Sequence, residues 1–174
     1  MVNVPSSAEP ITDKVVRPTW YRFFNDLNRA KLEASLVSTF MLTVLDDTSA
    51  TAALATLGIT TGTYTPTLTG VANVAASTAY LCRYVRVSNM VIVAGRADVD
   101  PTAAAPTATT LGISLPVASN FADTLACNGV ANWMLVNQSG GINGDAANDR
   151  AEMTYMAIST ANAACWFVFM YQVI

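Results

Sequence analysis

From Thr60 to Ile174 the chain alternates short β-prone runs with turn-forming residues, and this rhythm limits the possible folds more than any other feature. The runs are TYTPTLTGV, AYLCRYVRV, MVIVAGRADVD, TLGISLPVA, DTLACNGVANWMLV, RAEMTYMAI and AACWFVFMYQVI. Ser-Asn, Pro-Thr-Ala, Gln-Ser-Gly-Gly and Ser-Thr-Ala-Asn separate several of them, residue types that set turns. Seven or so strands spaced this way predict a mainly β unit, an antiparallel β-sandwich or jelly-roll-like barrel. The best hairpin pairs YLCRYVRV with MVIVAGRADV through Ser88-Asn89. Period-two alternation puts Leu81, Arg83, Val85 and Val87 on one face of its first strand, and Tyr80, Cys82, Tyr84 and Arg86 on the other. The last run is apolar on both faces, so it is expected to be central or buried against another subunit.

The first 59 residues read differently. Pro5, Pro10 and Pro18 predict an extended arm from Met1 to Pro18, since proline fixes the backbone and removes a donor. Thr19 then caps a helix in which Trp20, Phe23, Phe24, Leu27 and Ala30 share one face. Leu36–Leu45 fits either a helix or a short strand. In LDDTSATAALATLGI, Asp46, Asp47, Thr48 and Ser49 are cap candidates for a second helix. Ala50, Ala53, Leu54 and Leu57 form its apolar stripe, and Gly58 stands where a helix would end in a left-handed turn. The expected organisation is a helical and extended anchoring region, residues 1–59, followed by the β unit, residues 60–174.

Charge narrows the possible partners. Only 12% of the 174 residues are charged while 52% are hydrophobic, about half the charged share of an ordinary soluble domain. From Thr48 through Cys82 there is no Asp, Glu, Lys or Arg. Such a surface is expected to be covered by partner chains. The net charge of −3 does not fit a nucleic-acid binder, which presents a basic stripe. MVNVPSSAEP lacks the basic start and apolar core of a secretory signal. LVSTFMLTVL is too short to span a bilayer, so no membrane insertion is expected.

Chemistry is sparse. The chain has no histidine, which removes the commonest general base and any Ser–His or Cys–His arrangement. Cys82, Cys127 and Cys165 sit among apolar residues and read as buried thiols rather than a zinc site. Asp98 and Asp100 share a strand face, and Asp145, Asp149 and Glu152 cluster in INGDAANDRAE. No base, metal set or pocket pattern turns either group into a catalytic site. QSGGINGDAANDR lacks the alternate-oxygen spacing of a calcium loop, and its Asn and Gly are what tight turns require. No catalytic residue, metal or cofactor is therefore assigned. Arg83, Arg86 and Arg96 are expected to line a patch on the hairpin, with Asp98 as an ion-pair partner. Tyr80, Tyr84, Trp133, Tyr155 and Trp166 are able to stack on sugar rings, though in strands such residues more often build a core or an interface. Tyr80, Tyr84, Arg83 and Arg86 are the candidate surface-binding set.

LDDTSATAALATLGITTGTYTPTLTGV resembles the junction into a β module in tail-fibre and related appendage proteins of tailed bacteriophages. YVRVSNMVIVAGRADVDPTA, LGISLPVASNFA and GDAANDRAEMTYMA are similar to a module that recurs at the ends of such proteins. The likeness runs from Leu42 to Ile174. It implies a non-enzymatic virion structural protein, commonly a homotrimer, with an N-terminal attachment region and an outward β-sandwich. On that reading the Ala50, Ala53, Leu54, Leu57 stripe is a neck helix, too short to stand alone and suited to a small three-helix bundle. Arg17, Trp20, Tyr21, Arg22, Phe23, Phe24 and Leu27 form the docking element, since aromatic and Arg anchors carry much of an interface's energy. The same stripe also fits packing beneath the chain's own β unit. Attachment to a tail, or to a head as a fibre or capsid decoration, is equally compatible with these residues. A host-surface glycan is the further partner this reading allows, and a carbohydrate-binding receptor module is the rival function.

Overall fold

A computed structural model of the chain describes residues 21–28, 39–104, 106–133 and 137–174. The chain divides into two compact units, Met1–Thr56 and Leu57–Ile174. The proline-rich arm, the Thr19 cap, and the positions of Arg17, Trp20 and Ala30 lie outside the described residues.

In the first unit residues 21–28 are helical (α1). Two further helices follow, α2 (Thr39–Leu45) and α3 (Ala50–Thr56). The ambiguity over the Leu36–Leu45 segment thus resolves to helix for its described part. Ser49 is the residue that caps α3, its Oγ accepting from the Ala52 amide at 3.1 Å. Gly58 follows with a φ of 75°, the left-handed conformation that glycine adopts without a Cβ penalty.

The second unit is mainly β, a ten-stranded antiparallel sheet that curls on itself. Its strands are β1 (Ile59–Tyr64), β2 (Leu68–Ala72), β3 (Val74–Ala79), β4 (Cys82–Val87) and β5 (Met90–Pro101). These are followed by β6 (Thr107–Ser114), β7 (Cys127–Trp133), β8 (Gln138–Asp145), β9 (Arg150–Ala157) and β10 (Ala163–Gln172). The order is β1-β4-β5-β10-β7-β8-β9-β6-β2, with β3 also paired to β5. Because β2 pairs with β6 and β3 with β5, the β2–β3 segment bridges strands far apart in the sheet. The turn between them is Asn73, at a φ of 54°.

The predicted β4–β5 hairpin forms through Ser88-Asn89, with Val87 opposite Met90. The apolar final run becomes β10, which lies between β5 and β7. Inward-pointing residues of seven strands, β4 to β10, fill the curl. Trp133, Tyr171, Phe169, Leu111, Ile113, Ile142 and Met153 are the largest fully buried side chains. All three cysteines are buried, unpaired thiols. The loop after β6 is pinned by Asp149, whose carboxylate accepts from the Ser119 and Phe121 amides at 3.1 and 3.2 Å. Tyr171 Oη adds a bond to the Val117 carbonyl at 2.7 Å.

One turn reading fails. Gln-Ser-Gly-Gly is not a turn but the start of β8, and the turn lies further on, between Asp145 and Arg150. The segment has poor strand propensity, but β7 and β9 pair with it on both edges and hold it extended.

Candidate functional site

The outward side of β4, β5, β10 and β7 is the most unusual surface of the β unit. In ordinary antiparallel sheets the solvent face is polar. Here Val85 lies opposite Ile92, Ile92 opposite Met170, and Val87 opposite Met90, all pointing out. Val168 continues the apolar ground between Ala94 and Val130. These large side chains are each between a third and two thirds exposed. At the Met90 end Leu125, on a 3-10 turn (Thr124–Ala126) capped by Asp123, is 84% exposed. Ile174 lies beside it across a shallow depression shared with Met90 and Met170.

At the opposite end the face opens into a groove of about 760 Å³. Its origin is a break in pairing along one edge of β5. β4 pairs with Met90–Ala94 and β3 with Ala97–Pro101, so Tyr80 and Leu81 pass Gly95 and Arg96 unpaired. Gly95 is required there, because a Cβ would come 2.1 Å from Cys82 Sγ and 2.9 Å from the Phe167 ring. The break turns Tyr80 outward with Leu81, against the alternation expected from the sequence.

Tyr80 then covers Arg96, whose guanidinium carbon lies 4.3 Å from the Tyr80 ring centroid and 5.9 Å from that of Trp166. Arg96 donates Nε and Nη2 to Asp98 at 3.1 and 2.9 Å, and Tyr80 Oη donates to the other carboxylate oxygen at 2.8 Å. That hydrogen bond to Asp98 raises the Tyr80 phenol above its ordinary pKa, with a smaller contribution from burial. The groove is floored by Ala94 and Val168 and rimmed by Arg83, Asn132 and Trp166.

The structure separates the candidate surface-binding set. Tyr80 and Arg83 line the groove. Tyr84 points the other way, half-buried with its ring 6.3 Å from that of Tyr64. Arg86 is half-buried and donates Nε to the Ser88 carbonyl at 2.7 Å. Of the other aromatic candidates, Trp133 and Tyr155 are core residues with ring centroids 3.9 Å apart, whereas Trp166 is 56% exposed. The expected Arg96–Asp98 pair is present. Asn132 was not singled out in the sequence, although its even position on an odd-inward strand marks it as outward.

In the first unit Tyr21, Arg22, Phe24 and Leu27 are exposed and Phe23 is half-buried on α1, with the Phe23 and Phe24 rings 5.5 Å apart. On α3 Ala50 and Leu54 are exposed and Ala53 half-buried, and Leu57 just beyond is exposed. Among the described residues no group of three or more His, Cys, Asp or Glu is able to hold a metal. No described helix is long and apolar enough to cross a membrane. Asp145 is occupied by Arg150 at 2.8 Å and Asn148 at 2.8 Å, so the acidic turn is internally bonded.

No protein-family model, curated protein or solved structure matches the chain.

Proposed function

We propose that this chain is a non-enzymatic structural protein of a bacteriophage virion, a short trimeric tail fibre or appendage. Its N-terminal region docks on the particle through Tyr21, Phe23, Phe24 and Leu27. The α3 stripe is the neck of the trimer. The curled β sheet is a jelly-roll-like sandwich that faces outward and contacts the host surface. The observation that carries this reading is the apolar outer face of β4, β5 and β10.

Val85, Val87, Met90, Ile92, Val168 and Met170 lie on that face, with Leu125 and Ile174 at its end. The eight are each between 38% and 84% exposed, and a contiguous exposed apolar patch of this kind marks an interaction surface. A chain so poor in charge has little else to keep such patches apart, and copies of itself are the partner present at the highest local concentration. The resemblance of Leu42 to Ile174 to tail-fibre modules adds the virion setting.

Electron microscopy of intact particles tests the assignment. The reading expects density for three copies, with the first unit at the particle surface and the β unit pointing away. Particles that lack this chain would contradict it.

A further inference from the structure

We propose that the groove between Arg83, Arg96 and Trp166 binds a carboxylated pyranose, a sugar ring bearing one carboxylate. This deepens the appendage reading and rests on it in one respect, that the groove stays open when copies assemble. The groove lies at the Arg96–Trp166 end of the face, away from the Met90, Leu125 and Ile174 end.

Size is the first constraint. At about 760 Å³ the groove falls within the ~300–1,000 Å³ of small-molecule sites. Ala94, between Ile92 and Arg96 on the outward side of β5, deepens the groove that the pairing break opens, its methyl leaving room that larger neighbours would fill.

Charge is the second. The lining holds two arginines and no acid. Asp98, behind Arg96, neutralises one of them. Arg83 has no ion pair among the described residues, and Arg96 spends Nε and Nη2 on Asp98, leaving Nη1 to donate elsewhere. Arg83 faces Ala94 across the ladder and Arg96 is two residues further along β5, so their Cβ atoms start about 7 Å apart. Arg83 and the free Arg96 Nη1 thus border one groove, and charge-assisted hydrogen bonds to a carboxylate held there are the strong ones. One uncompensated positive charge selects a monoanion.

The third constraint is the shape of the remaining wall. Trp166 presents an exposed indole beside Arg96 and opposite Asn132. An aromatic platform accepts the apolar face of a ring, while the Asn132 amide offers a donor and an acceptor to ring hydroxyls. A simple carboxylate leaves the indole and Asn132 unused, and a neutral sugar leaves Arg83 unused.

The test is calorimetric titration of the full chain with galacturonate, a single ring with one carboxylate, with galactose as the neutral control and acetate as the ringless one. The mass of each sample is measured alongside. Galacturonate is expected to bind, and both controls to bind at least about tenfold more weakly. Trp166→Ala and Arg83→Gln, both at exposed positions, are each expected to weaken binding about tenfold or more. Asn143→Ala, outward on β8, is expected to leave it unchanged. Absence of binding, equal binding of galactose, or full affinity in both groove variants overturns the assignment, whatever the mass. A monomeric sample that binds galacturonate contradicts the trimer and leaves the groove assignment standing.

Discussion

Asn73 donates its side-chain amide to Thr109 Oγ1 at 2.7 Å, and this bond ties the turn between β2 and β3 to the buried hydroxyl of β6. The same amide donates to the Ala103 carbonyl at 2.9 Å, and Asn73 Oδ1 accepts from the Ala103 amide at 2.7 Å. One side chain thus joins the segment that bridges β6 and β5. Asparagine suits the post because it tolerates the left-handed backbone better than most residues. Asn73→Ala loses all three bonds and adds backbone strain, a cost of about 4–5 kcal/mol at roughly 1 kcal/mol per bond and 1–2 kcal/mol for the conformation. Asn73→Gly keeps the conformation and is expected to lose less. Urea denaturation of the two variants measures the difference.

The close approach of Gly95 to Cys82 yields a coupled prediction. Gly95→Ala forces a methyl into Cys82 and Phe167, and overpacking of this kind costs about 1–3 kcal/mol. Removing the thiol with Cys82→Ala gives room, so the double variant is expected to lose less than the sum of the singles. A double-mutant cycle reads the coupling, and simple additivity would contradict the packing account.

Burial pushes the thiols of Cys127 and Cys165 up to about 12, and raises that of Cys82. Tyr155 and Tyr171 also rise to about 12, chiefly through burial. The native protein is therefore expected to ignore a thiol-reactive disulfide reagent at pH 8, and the three buried thiols to react once denaturant is added. The linkage has a definite sign. Groups whose folded pKa is raised contribute stability that is complete below their unfolded values, here 9.0 for thiols and 10.0 for phenols, and lost as pH climbs towards about 12. Denaturation midpoints should fall across that alkaline range.

Asp145 predicts the acid side. Its burial alone would raise the pKa, but hydrogen bonds from Asn148 and Arg150, together with the Arg150 charge, lower it overall. A depressed carboxyl contributes stability above its unfolded value of 3.8, lost as pH falls through the lower folded value. Asp145→Asn is expected to flatten the acid limb of the stability profile, read by denaturation at a series of pH values below 4.

Much of the β unit was legible because period-two alternation and turn residues are local signals. The β4–β5 hairpin, the central β10 and the buried thiols all follow from them. Strands β3 and β8 were hidden for a physical reason. Val74–Ala79 and Gln138–Asp145 are rich in small or polar residues, and their extended form comes from neighbours that pair with them. The groove was only partly legible. Its arginines and aromatic residues stand out in the sequence, but the outward turn of Tyr80 depends on a pairing break set by Cys82 against Gly95. No one-dimensional pattern encodes that contact. Exclusion of Trp133 and Tyr155 from the surface likewise required knowing which side of the sheet curls inward.

The central claim is that copies of this chain cover the Val87, Met90, Ile92 and Met170 end of the apolar face of β4, β5 and β10, and sedimentation equilibrium of the full chain tests it directly. The account predicts a mass three times that of the 18.4 kDa chain. It also predicts a shift towards the single-chain mass in Ile92→Arg and Met170→Arg, both outward and away from the groove, with the strand content unchanged. A wild-type chain that sediments at 18.4 kDa at high concentration, with both variants indistinguishable from it, would contradict the account.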